Sequence, residues 1–221
     1  MSSTLERLIE PIRHSPQLVE AVDLLQQQIR SERERRERFY EEMTPDQKIE
    51  FIDGEVMPQS PARNVHLDVT RWIAALLGSF VDSSDQGEVK VEKCLCVFPR
   101  NDYEPDIVFF GPEKVAAFGS ATMKFPVPDL AVEVLSSSTE HRDRGVKFED
   151  FQAHGVREYW IVDAERAVIE QYVLGADGYD LVLKSGSGEL RSVVVDGFII
   201  PVRACFSKEE ILKALRGLLG E

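Results

Sequence analysis

The sequence predicts an α/β (α+β) fold in which a mixed β-sheet is flanked by helices and preceded by an N-terminal helical extension. Three observations predict it. Within residues 1–44, Leu18, Val22, Leu25 and Ile29 recur at helical spacing. From Lys48 onward, short apolar runs alternate with turn signals and helix-period segments, the texture of interleaved strands and helices. One run, DLAVEVLS, is apolar on both faces except at Glu133, which marks a strand central in its sheet.

The elements follow in chain order. Ser3 with Glu6 forms a capping-box pattern ahead of Leu5, Leu8 and Ile9. Ser15-Pro16 predicts a second helix start, with Pro at the first helical position. In RSERERRERFYEEM, Glu32–Arg36 and Glu34–Arg38 stand at i,i+4, so this charge run reads as a solvated helix face rather than a nucleic-acid-binding tract. IEFI and EVM flank Asp53-Gly54, a dipeptide that suits the twist of a hairpin. Ser60-Pro61 breaks the chain, and Val65, Val69, Trp72, Ile73, Leu76 and Phe80 then keep helical period. GEVKVEKCLCVF and PDIVFF read as strands and KFPVP as a loop, before the central strand DLAVEVLS. Residues 139–154 read as one helix stopped at Gly155. EYWIVD, VIEQYVL, YDLVLK and SVVVDGFII read as further strands, and Ser207 with Glu210 opens a last helix. The division is an extension over 1–38 and a domain over 39–221.

Composition narrows the class. The 221 residues are 43% hydrophobic, enough for a substantial core. No apolar run is long enough to cross a bilayer, and the N-terminus lacks the apolar stretch of a signal peptide, so no membrane partner and a cytoplasmic location are expected. Cys94, Cys96 and Cys205 cannot all pair internally, and Cys94-Leu95-Cys96 is too closely spaced for a zinc half-site, so reduced thiols are expected. The formal net charge of −13 argues against broad electrostatic attraction to nucleic acid but leaves room for a local basic face.

The chemistry centres on carboxylates. Glu133 lies between apolar neighbours in a central strand, where a charge is costly unless it is paired or bound to a metal. A structural ion pair is the alternative. Asp106 follows Pro105 where a loop meets a strand, a position that also suits a plain turn. Two carboxylates from neighbouring strand ends can share Mg²⁺, which takes oxygen ligands. Such a site wants a lysine near the scissile phosphate. From Glu133 to Ser138 the chain runs roughly 16 Å as strand and loop. From Thr139 to Lys147 it returns about 12 Å as helix, so Lys147 can come back to the level of Glu133. A solvated helix lysine is the plainer reading of that residue. Glu55, after the Asp-Gly turn, and His66, at the start of the next helix, can point into the same pocket. His141, Arg142, Arg144 and Lys147 offer a small cationic patch. No GxSxG elbow, P-loop or GxGxxG is present.

At these residues the chain resembles the Uma2 family of the PD-(D/E)XK nuclease superfamily. The resemblance runs from about Phe39 to Leu212. It is carried by FYEEMTPDQKIEFIDGEVMPQSP with His66 after it, by EPDIVFF, and above all by PDLAVEVLSSSTEHRDRGVKFEDFQAHGVREYWIVD. It implies a restriction-endonuclease-like core, with Asp106 and Glu133 as the metal-binding acids and the Val134 carbonyl as a further ligand. The superfamily lysine stands two residues after the glutamate, where this chain has Leu135. The resemblance places its equivalent on the following helix, at Lys147, and matches Glu55 to an extra early acid.

The implied function is hydrolysis of phosphodiester bonds in nucleic acid, with DNA the expected substrate and Mg²⁺ or Mn²⁺ the cofactor. A non-catalytic interaction module that keeps the nuclease fold is the alternative. A metal-dependent hydrolase of some other phosphate ester is a third reading. The apolar seam of the extension can pack on the domain or on a second copy of it, and a homodimer or higher homo-oligomer is expected.

Overall fold

A computed structural model describes residues 2–44 and 46–220, with side chains from Glu6 onward. The Ser3–Glu6 capping box lies outside the described side chains. Two helices lead the chain, α1 (Ser2–Arg13) and α2 (Leu18–Glu42), followed by β1 (Ile49–Ile52), β2 (Glu55–Pro58) and α3 (Asn64–Ser84). Then come β3 (Glu88–Val91), β4 (Leu95–Val97), β5 (Asp102–Tyr103), β6 (Ile107–Phe110), α4 (Pro112–Val115), β7 (Lys124–Phe125) and β8 (Leu130–Val134). Two short helices, α5 (Glu140–Asp143) and α6 (Val146–Ala153), precede β9 (Glu158–Asp163), β10 (Val168–Leu174) and β11 (Tyr179–Ser185). The chain ends with β12 (Glu189–Arg191), β13 (Ile199–Pro201), a 3-10 turn (Val202–Cys205) and α7 (Lys208–Leu219).

The strands form two larger sheets and one small ribbon. The six-stranded sheet has the order β11-β10-β9-β8-β6-β3, and the five-stranded sheet the order β2-β1-β5-β4-β7. Both are mixed, because β8 runs parallel to β9 and β4 parallel to β7 while the other pairs are antiparallel. DLAVEVLS is central as predicted, with β6 on one side and β9 on the other. Its apolar residues divide by parity. Leu130, Val132 and Val134 pack with Ile73, Leu76 and Leu77 of α3, whereas Ala131 packs with Phe151 of α6. Glu133 shares the parity of Ala131 and so belongs to the α6 side.

Several elements differ from the sequence reading, each for a visible reason. GEVKVEKCLCVF is two strands in different sheets. It breaks at Glu92 and Lys93, both at φ 48°, a left-handed conformation that ends pairing and turns the chain. KFPVP contains the two-residue strand β7. Of SVVVDGFII only Ile199 and Ile200 join a strand, while Val195 and Phe198 fill the core from a turn. The helix over 139–154 is interrupted at Arg144-Gly145, where a Cβ on Gly145 would lie 2.7 Å from the His141 carbonyl oxygen. Only glycine fits that bend. The α2 helix starts at Leu18, and Ser15 Oγ accepts the Gln17 N–H ahead of it. At the other end, Ser207 accepts the Glu210 N–H as predicted. All three cysteines are free and buried.

The charge run of α2 has two faces: Arg33, Glu34, Glu37 and Arg38 are exposed, as a solvated face requires, whereas Glu32, Arg35 and Arg36 dock onto the domain. Glu32 does not pair with Arg36. It accepts two hydrogen bonds from Arg100, both 2.8 Å, while Arg36 grips Asp102 at 2.7 and 2.5 Å and the Phe98 carbonyl at 2.6 Å. No ion pair joins Glu34 to Arg38 among the described residues. Phe39 is buried against Phe51, and Arg35 donates to the Gly54 carbonyl at the hairpin turn. This half of α2 is fastened to the five-stranded sheet, and the helix runs unbroken across the 38/39 division. The N-terminal half is different: Leu25 and Ile29 remain 52% and 48% exposed. Among the described residues, no helix is long and apolar enough to cross a membrane.

Candidate active site

The register of β6 and β8 brings the two predicted acids together. Ile107 stands opposite Val132, so one further step sets Asp106 opposite Glu133. Asp106 Oδ2 accepts the Val134 N–H at 2.8 Å, which ties the carboxylate to the end of β8. Its Oδ1 meets Lys48 Nζ at 2.8 Å and His66 Nε2 at 3.4 Å. Burial raises the Asp106 pKa, but the His66 contact and the Lys48 charge outweigh it and hold the group below the usual carboxylate range.

Lys147 is not a solvated helix lysine. Because α5 and α6 are bent at Gly145, Lys147 turns inward on the α6 side of β8 and is fully buried. Its Nζ lies 2.7 Å from Glu133 Oε1, 2.8 Å from Glu50 Oε1 and 3.5 Å from Asp143 Oδ1. Burial opposes the charge on Lys147, and the three carboxylates overcome it and hold the pKa well above normal. The same crowding acts in reverse on the acids. Burial, with Asp143, Asp106 and Glu50 nearby, pushes Glu133 well up against the pull of Lys147, and burial also raises Asp143.

Asp106, Glu133, Val134, His66 and Lys147 therefore line one cleft of about 660 Å³. Glu55 does not reach it. It is exposed on β2, an edge strand, opposite Ile52 at the turn end of the hairpin. The early acid that does approach is Glu50 on β1, completely buried, with Oε2 lacking a hydrogen-bond partner. Its setting between apolar residues in IEFI is the same signal that singled out Glu133. The cationic patch is also redistributed. Arg142 lines the cleft and keeps a buried, unpartnered Nε, while Arg144 turns away to pair with Glu170 at 2.8 Å and Glu140 at 2.9 Å. Lys48, Arg63 and Lys93 complete a basic rim that the net charge conceals.

The donor set suits a hard cation. Four carboxylates, Asp106, Glu133, Glu50 and Asp143, face two lysines, Lys48 and Lys147, in a water-poor site. Neither oxygen of Asp143 has a hydrogen-bond partner. Buried carboxylates left over in this way call for protons or a divalent ion. Among the described residues, no three acidic, His or Cys side chains already converge on one point, because Lys48 and Lys147 stand between them. A bound ion at Asp106 and Glu133 requires a shift of those ammonium groups.

Two mixed sheets flanked by helices, with strand-end acids opposed across β6 and β8, define a restriction-endonuclease-like fold. Residues 34–203 match the model of Uma2, described as "Putative restriction endonuclease", and the chain belongs to that family. The fold is similar to that of a nuclease described as "putative", of the DUF820 group, from Anabaena variabilis ATCC 29413. The TM-score is 0.65 at 14% identity, covering 80% of this chain and 96% of that one. An uncharacterized protein of Synechocystis sp. is 29% identical over 157 residues, covering 66% of this chain and 78% of that one.

Proposed function

We propose that this protein is a metal-dependent endonuclease that hydrolyses phosphodiester bonds of nucleic acid, with DNA as substrate. The observation that supports this most directly is the surplus of buried carboxylate over lysine at the end of β6 and β8. Asp106 and Glu133, with the Val134 carbonyl, would hold Mg²⁺ or Mn²⁺. When bound, the ion would polarise the scissile phosphate and lower the pKa of a water molecule. Arg142, on the cleft wall, offers its guanidinium to a phosphate oxygen. Lys147 keeps its proton and offsets the charge that grows as water attacks phosphorus and the P–O bond to the leaving oxygen breaks. His66 orients Asp106.

The test compares wild type with the isosteric variants Asp106→Asn and Glu133→Gln on single- and double-stranded DNA and RNA. Mn²⁺ binding is followed in parallel by calorimetry. Cleavage is expected only with metal, and each variant should lose at least about 10²-fold, the scale of removing one electrostatic contributor. Metal-independent cleavage, or full activity in Asp106→Asn, would sink the mechanism.

A second reading, a non-catalytic oligomeric module, is favoured by the exposed seam of α2. We place a homodimer contact there, compatible with either reading. Ile29→Glu should shift sedimentation from dimer to monomer. An unchanged sedimentation coefficient, or a wild-type monomer, removes the dimer.

A further inference from the structure

Beside the acidic cleft lies a second cavity, of about 460 Å³, that the nuclease reading does not use. Phe39, Leu95 and Phe125 supply apolar wall, and Met43 and Met123 stand along it. That volume falls within the range of small-molecule sites, which join apolar walls to a few placed polar groups. One such group is Glu104. The residue is buried, with 6% of its surface exposed. Its Oε2 accepts the Ile49 N–H at 3.0 Å. The Ile49 hydrogen bond takes up one carboxylate oxygen, so the carboxylate lining the cavity keeps acceptor capacity for a ligand.

The two cavities share a wall. Glu92 and Lys93, the left-handed pair between β3 and β4, line both, and the Glu92 N–H is anchored on the Asp106 carbonyl at 3.1 Å. Glu104 is two residues from Asp106, roughly 6.6 Å along extended chain, a separation that a single nucleotide can bridge between phosphate and base. The cations lie on the appropriate side: Lys90 and Lys93 border the apolar cavity. A flat apolar group with an amino edge, attached to a phosphate, matches this arrangement of wall, acceptor and cation.

We propose that this cavity receives one unpaired nucleobase of the substrate strand, its face against the apolar wall and its exocyclic amino group donating to Glu104. The proposal rests on the nucleic-acid reading of the neighbouring cleft and narrows its substrate to single-stranded or locally opened nucleic acid. A base in a duplex cannot enter without leaving its stack. Carboxylate acceptors pair with the amino group of cytosine or adenine. Thymine presents acceptor oxygens at the corresponding position and is disfavoured.

The binding test needs neither metal nor cleavage. The methionine methyl groups of the full chain are followed by NMR at mildly alkaline pH during titration with deoxycytidine monophosphate, deoxythymidine monophosphate or inorganic phosphate. Met43 and Met123 should shift saturably with the cytidine nucleotide, and at least about tenfold more weakly with the thymidine one, the scale of one good base contact. Met57, which lines neither cavity, should stay in place. Glu104→Gln should erase the preference, because an amide can donate to thymine as well as accept from cytosine. Met123→Trp, at a half-exposed position, should block the cavity and abolish the Met43 shift even if Glu104→Gln fails to fold. Absence of Met43 and Met123 shifts with the cytidine nucleotide overturns the proposal, as does an equal response to both nucleotides or an unchanged preference in folded Glu104→Gln. A chain that cuts nucleic acid but shows no such shifts refutes the base site alone. A chain that binds the cytidine nucleotide but cuts nothing refutes the nuclease reading alone.

Discussion

Lys147→Ala is expected to cost about 3–5 kcal/mol of stability, read as a lower urea midpoint, because it removes the ammonium group that bridges Glu133, Glu50 and Asp143. All four groups are almost fully buried, so water cannot replace the lost ammonium group. Introducing Glu50→Gln into the same chain should recover part of the loss by removing one stranded carboxylate. In an otherwise unaltered chain, Glu50→Gln strips a partner from Lys147 and should not stabilise comparably. A cost below about 1 kcal/mol for Lys147→Ala would mean that the cluster is solvated and behaves as a surface pair. Loss of cleavage in this variant is therefore evidence about chemistry only when measured where the variant is demonstrably folded.

The second large effect is expected at Arg36→Ala, also about 3–5 kcal/mol. The guanidinium holds the completely buried Asp102 carboxylate and reaches the carbonyls of Phe98, Asn101 and Pro99. Tyr40 still donates to Asp102, which keeps the carboxylate hydrogen-bonded but not neutralised. The same helix has an acid-sensitive contact. Mainly through its hydrogen bonds with Arg100, Glu32 is lowered from its usual value near 4.5 to about 2. A depressed carboxylate contributes stability that is present above its unfolded pKa and lost as pH falls through the folded one. The contribution should therefore fade between about pH 4.5 and 2, and it is worth about 1 kcal/mol because Arg100 is half exposed. Glu32→Gln should flatten that part of the acid denaturation profile. An Arg36→Ala protein as stable as wild type would show that Phe39 and the contacts of Glu32, Arg35 and Tyr40 hold α2 without it.

Glu133 was legible because it interrupts an apolar strand, whereas Asp106, after a proline at a strand start, suited a plain turn on its own and gained weight only beside Glu133. Lys147 was legible as a distance that two lengths of chain could cancel and through the family resemblance, while its spacing alone still suited a solvated lysine. What turns it inward is the bend at Gly145, which an unbroken helical period over 139–154 concealed. Glu50 carried the same apolar-neighbour signal as Glu133, but the Asp-Gly turn drew attention to Glu55, and nothing in a hairpin sequence says which of its strands will be the edge. The i,i+4 spacing of Glu32 and Arg36 misled for a related reason. Local geometry permits the pair, whereas Arg100 and Asp102, more than sixty residues away, supply stronger partners. Lys48 gave no local sign of the cleft, because its role depends on how the two sheets meet, whereas Arg142 was visible only as one member of a cationic patch whose other arginine, Arg144, turns away.

That meeting has a mechanical consequence. Glu50 belongs to the five-stranded sheet and Glu133 to the six-stranded one, and a single ammonium group touches both at 2.8 and 2.7 Å. Lys147 thus acts as a rivet through two plates. Sliding one sheet past the other by even an ångström pulls a desolvated charge off its counter-charge, so the seam resists gradual shear and yields abruptly. A change that loosens the rivet, whether a displaced lysine or an ion entering between Asp106 and Glu133, would be felt along the whole join between the sheets.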